Sequence, residues 1–173
     1  DALAGQVWPS ARTLARELRS RLADESSARQ TTVLELGCGV GLVSLAAASA
    51  GARVIASDVD HLARACVSAA ADDAGLDVSV QEFDLTSQHA LPYIGAGDWV
   101  VFSDVFVTPS VARAAARRCI EAVDAGARVF VGDCGRCTRD DFLAELHATG
   151  MPPEDAQFRD AAELREWEHS ERT

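Results

Sequence analysis

The stretch from Thr31 to Ala50, TTVLELGCGVGLVSLAAASA, constrains the fold more than any other part of the chain. TTVLEL (31–36) is a short apolar strand, GCGVG (37–41) is a glycine turn, and LVSLAAASA (42–50) is a helix that stops at Gly51. A strand that runs straight into a helix has to pack that helix back onto its own sheet, and the connection to the next parallel strand is then right-handed. RVIAS (53–57) supplies that second strand. The alternation continues with a helix over 61–75, strands over 77–83 and 98–103, a helix from Pro109 to about Asp124, a strand over 127–132 and a helix over 139–149. Ahead of it, SARTLARELRSRL (10–22) spaces Leu14, Leu18 and Leu22 four apart, which predicts an amphipathic helix capped by Ser10. The pattern predicts an α/β fold with a doubly wound, mostly parallel sheet. AQFRD and ELREWEHSE in the tail read as a closing antiparallel hairpin, the second being equally compatible with a helix. With no linker and no repeat, residues 1–173 form one domain.

Charge and composition narrow the partners. A net charge of −11, with no cluster of basic residues, repels a phosphate backbone, so nucleic acid is not expected as a partner and a basic one fits better. The longest apolar run, Val40 to Ala52, is short and glycine-bounded against the ~20 apolar residues a membrane helix needs, and no membrane association is expected. All 16 basic residues are arginine, a bias that follows from a GC-rich genome more simply than from function. Five cysteines, an odd number in a chain of this length, favour a reducing compartment. We therefore expect an intracellular protein, cytoplasmic or mitochondrial. The chain opens at Asp1, from which we expect the natural N-terminus to lie upstream.

The glycine turn sits where ligands bind in sheets of this kind. Gly37, Gly39 and Gly41 give G-x-G-x-G, whereas a dinucleotide fingerprint requires a glycine where Leu42 stands, so NAD is disfavoured. Glu35, two positions before the first glycine, suits the positive charges of an aminoacyl sulfonium better than a pyrophosphate. Asp58, at the end of the second strand, is placed to accept both ribose hydroxyls of a nucleoside, with Asp60 as the near alternative or a plain helix-start acid. Asp84, just after the third strand, is placed to accept from an adenine amino group.

With these residues the chain resembles the seven-strand S-adenosylmethionine-dependent methyltransferases, a Rossmann-like class with a seven-stranded sheet. VWPSARTLARELR, ASDVD, SDVF and GDCGR come in the order found in the family 16 protein lysine methyltransferases. Within that family the likeness, from about Gly5 to Arg136, is to the methyltransferases of the electron-transfer flavoprotein beta subunit and their bacterial relatives. The resemblance implies that Trp8 lines the cofactor pocket, that Gly37, Gly39 and Gly41 wrap the methionine moiety, and that Asp58 holds the ribose. Ser103 is implied to bind the cofactor too. Asp104 is implied as the catalytic residue that faces the substrate amine, with Phe106 and Asp133 beside the substrate. The chain departs from the family in having Val107 where an aromatic residue usually follows the acid, and Cys134 where GDPGR has proline.

The implied reaction transfers a methyl group from S-adenosylmethionine to nitrogen, most simply a lysine side chain of a protein with a basic target segment. A small-molecule amine is the alternative substrate, and a non-catalytic, cofactor-binding subunit the alternative role. A lysine attacks only as the neutral amine, so binding and orientation by Asp104 come before any proton transfer. Cys134-Gly135-Arg136-Cys137 also matches a C-x-x-C redox pair. A zinc site is disfavoured, since His61, His89, His147 and His169 are scattered and no second C-x-x-C exists; no metal is expected.

Overall fold

The computed structural model describes residues 5–24, 30–150 and 163–167. In chain order these form α1 (Pro9–Asp24), β1 (Thr32–Leu36), α2 (Leu42–Ser49), β2 (Arg53–Asp58), α3 (His61–Ala74), β3 (Val78–Glu82), β4 (Trp99–Ser103), α4 (Pro109–Asp124), β5 (Arg128–Asp133), α5 (Arg139–Ala148) and β6 (Glu163–Trp167). The strands lie in one sheet in the order β3-β2-β1-β4-β5-β6. The first five are parallel, and β6 runs antiparallel to β5. The chain winds outward from β1 to β3 and then returns to place β4 on the other side of β1. That reversal opens a crevice at the C-terminal ends of β1 and β4.

Alternate residues of each strand serve opposite layers. Val33, Trp99, Val101 and Phe130 meet Leu14, Leu18 and Leu22 of α1 and Val43 and Ala47 of α2 on one face. Leu34, Val100, Phe102 and Val129 meet α4 and α5, through residues such as Ala115, Cys119, Phe142 and Leu146, on the other. Every residue of β1 and β4 is buried, which is why these strands read as continuous apolar runs instead of alternating ones. Near the crevice, Val67 of α3 packs on Ala56 of β2 and on Cys38.

Most expected boundaries lie within one residue of those observed. The helix expected over 10–22 starts at Pro9, suited to a first turn, so Ser10 lies inside α1 and is not its cap. ELREW (163–167) is a strand, not a helix, while AQFRD (156–160) lies outside the described residues. The sheet therefore has six strands among the described residues, where the resemblance implied seven.

Leu18 is fully buried between α1 and the sheet, so Leu18→Ala removes a side chain the layer cannot refill. We expect it to lower unfolding stability by about 2–5 kcal/mol in urea titration. A loss below about 1 kcal/mol would mean that α1 is not part of this core.

Candidate active site

A cavity of about 270 Å³ opens at the crevice. Its floor is the glycine loop, one side is formed by Asp58–Asp60 and Phe83–Leu85, and the other by Ser103–Val105 and the segment Gln6–Trp8. The loop after β3 is shaped by Arg118, a buried guanidinium on α4. It donates to the carbonyls of Leu85 (3.1 Å), Ser87 (2.6 Å) and His89 (2.9 Å) and lies 5.0 Å from the Phe83 ring centroid. Long-range fastening of this kind left no motif in the sequence.

Gly37 and Gly39 form part of the cavity wall. Gly39 has φ +51 and no atom within 4 Å of where a Cβ would stand, so its bare face is open. Gly41 does not reach the cavity and corrects the expectation that it wraps a ligand. A Cβ there would lie 2.6 Å from Val67 Cγ2, at φ +77, so this glycine lets α3 approach the start of α2.

Glu35 borders the cavity but acts first as a clasp. Its Oε2 accepts from Ser44 N (2.8 Å) and Ser44 Oγ (2.5 Å), binding the end of β1 to the first turn of α2. Burial pushes its pKa up to about 8 against the pull of those two bonds, and the nearby Asp58 charge adds to the rise. The expectation of a ready anion at this position is therefore revised, since the carboxyl is largely protonated at neutral pH. Asp58 borders the cavity. Its two oxygens accept one bond each, from Gly39 N (3.0 Å) and Asp60 N (2.9 Å), and each retains a further acceptor position. Asp60 caps α3 by accepting from Leu62 N through Oδ1, and it also borders the cavity. Asp84 also borders the cavity. Its Oδ1 accepts from Thr86 N and Thr86 Oγ, bonds that hold its carboxyl below the usual range.

Trp8 and Ser103 both line the cavity. Asp104 borders it too, but its carboxylate is directed elsewhere. Oδ2 accepts from Ser10 N (3.0 Å), and Oδ1 accepts from Ser10 Oγ (3.0 Å) and Cys134 N (2.9 Å). Phe106 is a correction. It is 1% exposed, stacked 4.6 Å from Phe142 and edge-on to Phe102, and absent from the cavity wall. After the left-handed turn at Asp104 (φ +55), Val105 and Val107 line the cavity while Phe106 enters the core. Asp133 is likewise a correction. It is fully buried, with Oδ2 accepting from Gly135 N, Arg136 N and Arg139 Nε, and it fastens the turn into α5 without reaching the cavity.

Cys134 lies beside both acids, with the ligand atoms of Asp104, Asp133 and Cys134 within 4.8 Å of one another. Burial and the two carboxylates raise its thiol pKa, the opposite of what a reactive redox cysteine needs. All five cysteines are free.

The raised pKa of Glu35 fixes a sign for pH dependence. Between about pH 4.5 and about 8 the folded protein retains a proton that the unfolded chain releases, so this group makes stability fall as pH rises through that window. The slope is at most about 1.4 kcal/mol per pH unit. Urea unfolding at several pH values should show a flatter profile for Glu35→Gln than for the parent chain. Parallel profiles would contradict the buried, protonated carboxyl.

Comparison with known proteins agrees with this architecture. Residues 1–129 match the family model described as lysine methyltransferase. A segment of 62 residues, 36% of the chain, is 42% identical to the mouse (Mus musculus) protein-lysine methyltransferase METTL21E, of which it spans 25%. Two solved structures share the fold over nearly the whole chain. The magnesium protoporphyrin IX methyltransferase of Synechocystis PCC 6803, solved with bound SAM, has a TM-score of 0.67 at 19% identity, covering 94% of this chain and 84% of that one. The ribosomal protein L11 methylase of Lactobacillus delbrueckii subsp. bulgaricus has a TM-score of 0.69 at 15% identity, covering 93% and 79%. With its matching family model spanning the glycine loop, Asp58 and Asp104, the chain belongs to the lysine methyltransferase family of S-adenosylmethionine-dependent enzymes.

Proposed function

We propose that this chain binds S-adenosylmethionine in the cavity and transfers its methyl group to the side-chain amine of a lysine in a protein. The observation that carries the reading is the charge of the lining. Asp58, Asp60, Asp84 and Asp104 border the cavity beside the mainly protonated Glu35, and among the described residues no arginine or histidine does. Such a wall repels phosphate and suits a cationic nucleoside.

The residues present fit the donor. Asp58 has acceptor positions left for ribose hydroxyls, Asp84 stands at the end of β3 for the adenine amino group, and Phe83 and Leu85 give the base an apolar surface. Gly37 and the open face of Gly39 admit the amino-acid portion, between Trp8 and Ser103. When bound, the donor supplies a methyl group made electrophilic by its sulfonium. The chain's own part is to position and desolvate. Val7 and Val107, both more than 40% exposed, line the cavity, and an amine that enters past such apolar side chains loses water, which favours the neutral form that can attack. The net charge of −11 favours a basic target segment, and the five free thiols fit a reducing compartment, cytoplasmic or mitochondrial.

Incubation with methyl-labelled S-adenosylmethionine and a protein extract, followed by acid hydrolysis of the protein fraction, should yield labelled methyl-lysine. In calorimetry Asp58→Ala should weaken donor binding at least tenfold, the scale of losing hydrogen bonds to a charged group. Label confined to small molecules would replace the protein substrate with a free amine. Unchanged donor affinity in Asp58→Ala would overturn the pocket assignment.

A further inference from the structure

We infer that Asp104 is a positioning residue, a latch that holds the N-terminal segment in place as a wall of the donor cavity, and not the acid that handles the substrate amine. The inference rests on the reading that the cavity binds S-adenosylmethionine.

Asp104 sits at φ +55, a left-handed conformation that few side-chain-bearing residues adopt and Asp more readily than most, and its N–H donates to Gly132 O (2.9 Å), which extends the pairing of β4 with β5. The residue is 4% exposed, and its carboxylate receives three hydrogen bonds from two distant parts of the chain. Ser10 N and Ser10 Oγ come from the first turn of α1, and Cys134 N from the loop after β5. The Cys134 thiol lies beside it, with the two groups' ligand atoms within 4.8 Å of one another. Of the carboxylate's about four lone-pair positions, these three bonds fill both on Oδ1 and one on Oδ2, so most of the acid's accepting capacity is already committed to its own chain.

The donors identify what the latch secures. Ser10 follows directly on Gln6, Val7 and Trp8, all of which line the cavity without belonging to any helix or strand. Trp8 is held by the same loop that meets Asp104, its ring 4.7 Å from the Arg136 guanidinium. The wall is thus anchored at Ser10 by Asp104 and at Trp8 by Arg136, with Cys134 bonding the acid to the loop. A segment with no regular structure of its own depends on such anchors for its position. Asp104 therefore affects how tightly the donor is enclosed more than how fast the methyl group moves.

Ser10→Ala removes one bond of the latch and leaves the cavity's own side chains intact, while Asp104→Asn tests the acid directly. S-adenosylmethionine affinity is read by calorimetry, the amides of Val7 and Trp8 by hydrogen exchange, and the donor KM and kcat by label transfer into the protein fraction that the parent chain methylates. Ser10→Ala should raise donor Kd and KM about threefold to tenfold, speed exchange at Val7 and Trp8, and leave kcat within about twofold. Asp104→Asn should move the same quantities further in the same direction. The double variant should be no worse than Asp104→Asn alone, because both changes open one contact. A fall in kcat at saturating donor with Kd unchanged in Asp104→Asn would overturn the latch and make the acid catalytic. Unchanged affinity and exchange in Ser10→Ala would overturn it as well, and that test stands if Asp104→Asn fails to fold. If the parent chain binds no donor, the donor reading fails by itself, and exchange at Val7 and Trp8 still reports on the latch.

Discussion

The turn between β1 and α2 places Gly37, Gly39 and Gly41 at positive φ, and a segment so permissive takes one shape only if something outside it fixes that shape. Two acids do so. Glu35 reaches forward from β1 to Ser44, and Asp58 reaches across from β2 to Gly39 N. The rest of the cavity is laid out from this fixed floor, since α2, the entry to α3 and the open face of Gly39 all take their places from it. Gly41 completes the arrangement by letting Val67 of α3 approach within contact of the turn.

A cavity bordered by five carboxyl groups would be unstable if all were ionised and unpaired. The structure resolves this by giving each a different task. Glu35 is buried and retains its proton to about pH 8. Asp60 and Asp84 accept from nearby backbone N–H groups, and Asp58 divides its oxygens between two of them. Asp104 is occupied by Ser10 and Cys134. What remains available to a ligand is a partly satisfied acidic wall, attractive to a cation and inhospitable to phosphate. That distinction separates this site from the dinucleotide-binding version of the same sheet.

Much of this was legible in the sequence because it follows from local rules. Continuous apolar runs alternating with amphipathic stretches gave the parallel sheet, and an acid at the end of each of the next two strands placed Asp58 and Asp84 at the cavity. What was not legible depends on tertiary contacts. Ser10 looked like a helix cap because its partner is 94 residues away. Phe106 looked like a pocket ring because nothing local announces the left-handed turn at Asp104 that sends Val105 and Val107 to the cavity and Phe106 to the core. Asp133 shares a motif with residues near the site, yet burial turns it toward Arg139 and the loop amides. Gly41 carries the same spacing as Gly39 but serves helix packing, a difference that only the position of Val67 reveals. The C-x-x-C pair had the spacing of a redox site, whereas its two acidic neighbours give Cys134 the wrong electrostatics for one.

The central claim is that the glycine loop and the acid at the end of β2 form the floor and side of a binding site for a cationic nucleoside. The most direct measurement is a crystal structure of the chain grown with S-adenosylmethionine. The account predicts the ribose against Asp58, the adenine between Phe83 and Leu85, and the amino-acid end over Gly37 and Gly39, with the Glu35–Ser44 and Asp58–Gly39 bonds intact. Donor bound elsewhere, or a glycine loop that has to break those bonds to admit it, would contradict the account.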